Sequence, residues 1–295
     1  MSDRLEIVFH IGANCTDEDR LLKSLIKNAD VLAEHGTKVP GPGRYRRLIR
    51  ETIQNLDGAP PAPHTRQILL DAILDEELPR RLFMSNSRFI CFENRIFEDG
   101  QFYAQAEFKT RGLAELFPDD DLTFCLGLRD PATFIPAAFA GSKFETLEEF
   151  LYGQDLLASR WSDVVFRIQQ AVPQAKLIVW CNEDTPMIWA ELIRTVAGLP
   201  PDTKITGGYD LLAAIMSPEG MNRFLNYMRQ NPPRTVQQKH RVIAAFLDKY
   251  AIEDAVEETV DLPGVDAETL SYLSDAYEAD VAEIARMPGV TFLSP

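Results

Sequence analysis

The sequence has few cysteines and no long apolar run. Its four cysteines, Cys15, Cys91, Cys125 and Cys181, are far apart, which argues against a disulfide framework and against a Cys-x-x-Cys metal site. No run reaches the roughly 18 apolar residues of a membrane-spanning helix. The N-terminus also lacks the basic start, apolar centre and cleavage site of a secretory signal. We therefore predict a cytoplasmic protein with no membrane span and no bound metal.

Basic residues are scarce relative to acidic ones. Thirty Lys and Arg residues face forty-five Asp and Glu residues, for a formal net charge of −15 at pH 7. Such a surface disfavours binding to nucleic acid or to an anionic membrane, so we expect no nucleic-acid partner. Any anionic ligand requires a local basic pocket. The 295 residues are 45% apolar and 25% charged, which is typical of a globular protein.

Four short apolar runs rich in β-branched or aromatic residues predict strands. They are Leu5–His10, Phe89–Phe92, Thr123–Leu128 and Lys176–Cys181. Each is apolar nearly throughout, as expected for strands that are covered on both faces in a parallel sheet.

Helical periodicity appears between and after these runs. The spacing predicts a helix over Leu21–Ala33 that stops at Gly36, and further helices over Ile68–Leu82, Leu147–Val172, Pro186–Gly198, Asp210–Met216, Pro218–Gln230, Thr235–Tyr250 and Asp266–Met287. No strand signal follows Pro201. We predict a single α/β domain over residues 1–295: a short parallel sheet with helices on both faces in residues 1–200, and a helical portion packed on it in residues 201–295.

The turn after the first predicted strand occupies the usual ligand position of such sheets. Helix N-termini there offer free N–H groups and a positive dipole end to an anion. A nucleotide-binding P-loop has Gly-Lys-Ser/Thr where this chain has Asp17-Glu18-Asp19, and a Gly-x-Gly-x-x-Gly pattern is missing too. The common ATPase, GTPase and dinucleotide-binding classes are therefore excluded.

Two blocks of sequence carry a family resemblance. The first is Phe9-His10-Ile11-Gly12, a seven-residue turn and the segment Arg20–Asn28; the second is Leu126-Gly127-Leu128-Arg129-Asp130-Pro131. Together they resemble the bacterial sulfotransferase-like family, whose fold is related to that of P-loop proteins. Weaker matches at Ser85-Asn86-Ser87, Trp161 and Tyr277-Glu278-Ala279-Asp280 extend the resemblance over most of the chain.

The resemblance implies a donor, an acceptor and a set of site residues. The donor is 3'-phosphoadenosine-5'-phosphosulfate, and the acceptor is a hydroxyl of a carbohydrate or small metabolite. The implied donor-binding residues are Gly12, Asn14, Thr16 and Arg20 around the 5'-phosphosulfate and Arg129 at the 3'-phosphate. His10 would act as the base, or would orient the loop through a backbone hydrogen bond.

The chain also departs from the family pattern. Cys15 stands where the family has a phosphate-binding lysine, three acids replace the following Gly-Thr-Thr, and Ala137 replaces the serine that accompanies the 3'-phosphate arginine. Carboxylates repel a phosphate and also oppose a Cys15 thiolate. Thr16 and Asp19 have the spacing of a capping box. This spacing predicts that the acidic side chains before the helix occupy the anion-binding site at its N-terminus.

Four arginines are clustered around Tyr45. Arg44 with Arg47 and Arg46 with Arg50 have helical spacings, so each pair predicts a site for an acidic or phosphorylated acceptor. The alternative is that these arginines pair with the chain's own carboxylates. A second basic group consists of Arg234, Lys239, His240 and Arg241.

Two functional hypotheses follow. The first is a sulfotransferase, and the second is a catalytically silent protein of the same fold that recognises an anionic ligand or a protein partner. A cation at the 5'-phosphate position would favour transfer. Acids bonded to the N–H groups of the first helix would favour binding without transfer.

Overall fold

The computed structural model describes residues 4–75, 78–256 and 262–295, and within them six strands form one sheet. The strands are β1 Glu6–Gly12, β2 Thr37–Lys38, β3 Arg81–Ser85, β4 Asp121–Leu128, β5 Lys176–Cys181 and β6 Val290–Leu293. Their order is β2-β3-β1-β4-β5-β6, and every neighbouring pair is parallel. The predicted α/β class and parallel sheet are confirmed.

Helices make up most of the remaining described chain. They are α1 Arg20–Lys27, α2 Ala29–Glu34, α3 Arg46–Leu56, α4 Thr65–Ile73, α5 Ala106–Glu115, α6 Pro131–Ala140, α7 Leu147–Leu151, α8 Trp161–Ala171, α9 Thr185–Ala197, α10 Asp210–Ile215, α11 Pro218–Gln230, α12 Val236–Tyr250, α13 Glu253–Val256 and α14 Ala267–Ile284. Short 3₁₀ helices lie at Pro42–Arg44, Glu93–Arg95, Glu98–Gly100 and Leu156–Ala158.

The central strand β1 has buried side chains on both of its faces. Ile7 and Phe9 contribute to one apolar core together with residues of α3, α5 and α8. Val8 points the other way and packs in a second core with residues of α1 and α9. Because the sheet is covered on both faces, its central strands β1, β4 and β5 are apolar nearly throughout instead of alternating, as the sequence indicated.

No strand forms at Phe89–Phe92, so this prediction is wrong. These residues form a turn and an irregular segment after β3, and the Phe89 ring packs edge-on against Phe9 at 5.6 Å. The true strand begins at Arg81, inside the helix predicted over Ile68–Leu82, because α4 already ends at Ile73. Both the turn and the strand are apolar because both contribute to the core, so hydrophobicity alone could not distinguish them.

Two other predicted helices are divided. The helix over Leu21–Ala33 is α1 and α2, separated at Asn28, whose side chain donates to the Ser24 and Thr206 carbonyls at 2.8 and 3.0 Å. The helix over Leu147–Val172 is α7 and α8.

The C-terminal portion is helical apart from its last strand. Its predicted helices correspond to α10, α11, α12 and α14, and α10, α11 and α12 enclose a small apolar core of their own. The expectation that no strand follows Pro201 is wrong, because β6 pairs with β5 at the edge of the sheet. This strand has four half-buried or exposed residues, too few for a clear periodicity.

The sheet has one point at which its connections diverge. From β1 the chain continues to β2 on one side, and from β4 it continues to β5 on the other side. A crevice therefore lies beyond the carboxyl ends of β1 and β4, which is the usual ligand position in such sheets. The segment after Gly12 and the residues after Leu128 meet there.

Candidate functional site

The loop after β1 is attached to the end of β4. The Ala13 backbone N–H donates to the Gly127 carbonyl at 2.9 Å. The Arg129 guanidinium donates to the Cys15 carbonyl and, through Nε, to the Thr133 hydroxyl at 3.0 Å. Arg129, which the family resemblance links to a 3'-phosphate, therefore lies at the crevice and contacts the loop after β1.

The N-terminus of α1 is capped by Asp17. This buried carboxylate accepts the backbone N–H of Leu21 at 3.1 Å and that of Asp19 at 3.3 Å. Thr16 instead donates its hydroxyl to the Ala13 carbonyl at 2.7 Å. The cap is thus Asp17, not the pair of Thr16 and Asp19 that the spacing predicts, because three loop residues with left-handed φ, including Glu18 and Asp19, turn the chain sharply before the helix.

Asp19 is held by an arginine from α3. Both terminal nitrogens of Arg46 contact its carboxylate, and Arg46 Nε donates to the Ser85 carbonyl at 2.9 Å. The hydrogen bond from Arg46 lowers the pKa of Asp19. Arg46, predicted as an acceptor-binding residue, thereby connects the loop, the start of α3 and the end of β3.

His10 is enclosed at the end of β1. Its Nδ1 lies 2.9 Å from the Ser85 hydroxyl, whereas Nε2 has no hydrogen-bond partner among the described residues. Burial lowers the pKa of His10 although Asp17 and Asp19 act in the opposite direction, so the ring is neutral at neutral pH. The side chain contacts a serine of β3, and a backbone hydrogen bond at Gly12 also acts to raise its pKa, as an orienting role toward the loop would require.

Asn14 is directed into the core. Its backbone N–H donates to the Tyr103 hydroxyl at 3.0 Å, and that hydroxyl donates to Asn14 Oδ1 at 2.7 Å. Asn14 Nδ2 donates to the Cys91 carbonyl at 3.1 Å. Neighbouring Gly12 has φ +118°, and an added Cβ would lie 2.8 Å from the Ser87 carbonyl oxygen, so glycine is required at this turn.

Two further loop residues are near the surface. Arg20, the proposed replacement for the missing lysine, lies 3.6 Å from Glu18, and both side chains are more than half exposed. Burial raises the pKa of the Cys15 thiol, and the nearby Glu93 adds to the shift. Both effects disfavour a thiolate at Cys15.

Each of the four clustered arginines has a carboxylate within ion-pair distance. Arg44 pairs with Asp75 at 2.6 Å, Arg46 with Asp19, Arg47 with Glu51 at 2.7 Å, and Arg50 reaches the same glutamate at 4.0 Å. Tyr45 is buried among them and exchanges two hydrogen bonds with the Ser85 backbone. Each arginine is thus engaged in an intramolecular ion pair, and Arg47 and Arg50 share Glu51, which is the alternative that the sequence left open.

A carboxylate network that sequence reasoning missed lies at the end of β5. Glu183 accepts the Asp130 backbone N–H at 2.8 Å and the Tyr277 hydroxyl at 3.2 Å. Ser274 donates to Asp130 at 2.6 Å. Burial raises the pKa of Glu183. The available signal was positional: Glu183 lies two residues after the end of β5, and Arg129 lies one residue after the end of β4.

The loop does not fit the 5'-phosphosulfate of the donor that the resemblance implies. The N–H groups of Asp19 and Leu21 already bond to a carboxylate, and residues 13–19 contain no lysine or arginine. Within residues 4–75, 78–256 and 262–295, no three His, Cys, Asp or Glu side chains are arranged to hold a metal ion. No helix of these ranges is long and apolar enough to cross a membrane.

Comparison with known proteins gives a distant structural likeness. No family model and no curated protein matches the sequence. Among solved structures, a sulfotransferase from Alicyclobacillus acidocaldarius is similar over 81% of this chain and 97% of its own, with 14% sequence identity and a TM-score of 0.37.

Proposed function

We propose that this chain is a binding protein built on a sulfotransferase-like scaffold, and that it does not transfer a sulfuryl group from 3'-phosphoadenosine-5'-phosphosulfate. The proposal rests on the Asp17 carboxylate, which bonds to the N–H groups of Asp19 and Leu21. In the family that the sequence resembles, those groups face the donor. In this proposal the protein is cytoplasmic, and its ligand is an anionic molecule or a protein partner.

Electrostatics supports this proposal. A phosphate placed at the start of α1 would have to displace Asp17 or lie beside it. Two unit charges about 4 Å apart repel by roughly 1 kcal/mol in water and by about 4 kcal/mol at an effective dielectric of 20. The loop has no lysine to offset that repulsion, and Arg20 lies beside Glu18 in solvent.

Calorimetric titration with 3'-phosphoadenosine-5'-phosphate tests the proposal. The expected result is no saturable heat up to millimolar ligand from a folded sample. Asp17→Asn keeps a capping oxygen and removes the charge, so it tests whether the carboxylate is what excludes the nucleotide. Saturable micromolar binding by the unmodified chain that is lost in Arg129→Ala would overturn the proposal.

Sulfuryl transfer to a hydroxyl of a carbohydrate or small metabolite is the second candidate. The observation that favours it is the position of Arg129 at the end of β4, in contact with the loop carbonyl of Cys15. In that case Arg129 would bind the 3'-phosphate and His10 Nε2 would be the candidate base. Micromolar nucleotide binding in the same titration would favour this candidate and direct the search to acceptors.

A further inference from the structure

A cavity of about 780 Å³ lies between α9 and the helices α10, α11 and α12. Its volume is in the range of small-molecule sites, roughly 300 to 1,000 Å³. The residues that give it chemical character are Glu191, Arg194, Tyr209, Asp210, Arg234 and Lys239. Two of them, Arg234 and Lys239, belong to the second basic group that the sequence singled out.

The cavity is separate from the loop after β1. Helix α1 begins at Arg20 beside the loop and ends at Lys27, which pairs with the cavity residue Asp210 at 2.9 Å. Eight helical residues span about 12 Å. The cavity therefore lies at the far end of α1, away from the carboxyl edge of the sheet.

A buried ion pair forms part of the cavity wall. Lys239 Nζ lies 2.7 and 2.9 Å from the two carboxylate oxygens of Glu191, and it also lies 5.4 Å from the centre of the Tyr209 ring. Only 11% and 23% of the lysine and glutamate side chains are exposed. A buried pair of this kind contributes little net stability compared with apolar packing, and here it places one cation and one carboxylate in the cavity wall.

Two arginines add unmatched positive charge to the cavity. Arg194 is fixed in place by hydrogen bonds to the Thr203 and Ala190 carbonyls at 2.9 and 3.2 Å. Arg234 is exposed at the start of α12. Across residues 4–75, 78–256 and 262–295, neither guanidinium has a carboxylate within ion-pair distance.

The acids of the cavity do not cancel this charge. Glu191 is engaged by Lys239 and Asp210 by Lys27, which leaves Asp202 against the two arginines. The rest of the wall includes apolar side chains, among them Met221, Leu225 and Val236.

We infer that this cavity binds an amphipathic organic anion, with the apolar body of the ligand against Met221, Leu225 and Val236 and its carboxylate or sulfate group on Arg194 and Arg234. Planar guanidinium groups suit such oxyanions because they donate two parallel hydrogen bonds. The inference rests on the proposed binding role. Its residues are not those of the nucleotide titration, so either result can fail without the other.

The test is calorimetric titration of the full chain with sodium decanoate below its micellar concentration. The expected result is saturable binding at one site. In the double variant Arg194→Gln/Arg234→Gln, binding is expected to weaken by roughly tenfold or more, because two charge-assisted contacts are lost. Arg241→Gln is the matched control, since Arg241 is also an exposed residue of α12 but does not line the cavity; it should bind as the unmodified chain does.

Two further measurements keep the test decisive. Ala213→Trp places a large side chain in the cavity from an exposed position of α10 and should abolish binding without loss of helical circular dichroism. Decyltrimethylammonium, with the same tail and a positive head, should not bind. The inference is overturned if decanoate does not bind, if both head groups bind equally, or if Arg234→Gln alone and the double variant bind as tightly as Arg241→Gln.

Discussion

Arg46 holds both carboxylate oxygens of Asp19, although 27 residues separate the two in sequence. The same guanidinium donates to the Ser85 carbonyl, so one side chain joins the loop after β1, the start of α3 and the end of β3. Arg46, which the sequence predicts as a binding residue for an acceptor molecule, therefore binds the chain's own loop through Asp19. It also keeps Asp19 on the loop as a carboxylate.

Replacement of Arg46 should destabilise the fold. We expect Arg46→Gln to lower the free energy of unfolding by about 1 kcal/mol, at the modest end for charged hydrogen bonds because solvent reaches part of the pair. Urea denaturation measures the change. Arg50→Gln is the control, since Arg50 lies 4.0 Å from its nearest carboxylate and 44% of its side chain is exposed. Equal stability of the two variants would contradict the role assigned to Arg46.

The penalty of Arg46→Gln should depend on pH. The hydrogen bond from Arg46 lowers the pKa of Asp19 below its ordinary value of 3.8 in the folded state. The pair therefore contributes fully above that pH, and its contribution is lost as the pH falls through the lower, folded-state pKa. Urea denaturation at a series of acidic pH values should show that the difference in unfolding free energy between the unmodified chain and Arg46→Gln becomes smaller as the pH falls. A difference that grows toward acid would be inconsistent with this pairing.

Loss of the α1 cap should be measurable. Asp17→Ala leaves the N–H groups of Asp19 and Leu21 without their acceptor, and we expect it to cost about 1 kcal/mol of unfolding free energy. Asp17→Asn should retain most of the stability, because its amide oxygen also caps. Glu18→Gln controls for a loss of charge on the same loop, as Glu18 is exposed. If Asp17→Ala and Glu18→Gln unfold at the same urea concentration, Asp17 is not the cap.

The Tyr103 hydroxyl should be essential to the position of the loop. Tyr103→Phe removes the only described partner of the Asn14 backbone N–H and leaves buried polar atoms unpaired, at a cost of about 1 to 3 kcal/mol. Tyr152→Phe removes an exposed hydroxyl and should leave the thermal midpoint unchanged. A similar midpoint for the two variants would show that Asn14 finds another partner.

Thiol alkylation should be slow in the native protein. Burial raises the pKa of Cys15, and it raises the pKa of Cys125 and of Cys181 to about 12 each. We expect iodoacetamide at neutral pH to label Cys15 more slowly than a free peptide thiol, and to label Cys91, Cys125 and Cys181 only after denaturation. Mass spectrometry of digested samples gives the rates. Labelling of Cys15 faster than the peptide would indicate a thiolate.

Sequence patterns located the strands that are buried on both faces. Thr123–Leu128 lies within β4 and Lys176–Cys181 coincides with β5, because both faces of those strands are covered, which makes them apolar nearly throughout. The same criterion failed at Phe89–Phe92, where a turn supplies a ring to the core. Pro79, within the helix predicted over Ile68–Leu82, was a usable warning that this helix ends early.

Site residues were harder to predict than strands because their partners are distant in sequence. Asp17-Glu18-Asp19 indicated an acidic helix start. Which of these residues caps α1 and which pairs with Arg46 depends on the position of Arg46 and on the left-handed loop conformation. Tyr103 and Glu183 carried no motif. They matter because folding brings Tyr103 to Asn14 and Glu183 to Asp130.

Composition and periodicity sufficed to predict the α/β class and the parallel sheet. A strand that is buried on both faces is a nearly continuous apolar run, and such a run can be recognised in the sequence. The family resemblance, and not composition or periodicity, implied that Cys15 stands where a phosphate-binding lysine is expected. Tertiary structure decided which carboxylate occupies the N-terminus of α1, where the clustered arginines find partners, and that Arg194, Arg234 and Lys239 share one cavity. The reason is physical: hydrogen bonds and ion pairs act within a few ångströms in space, and residues far apart in sequence reach that range only in the folded chain.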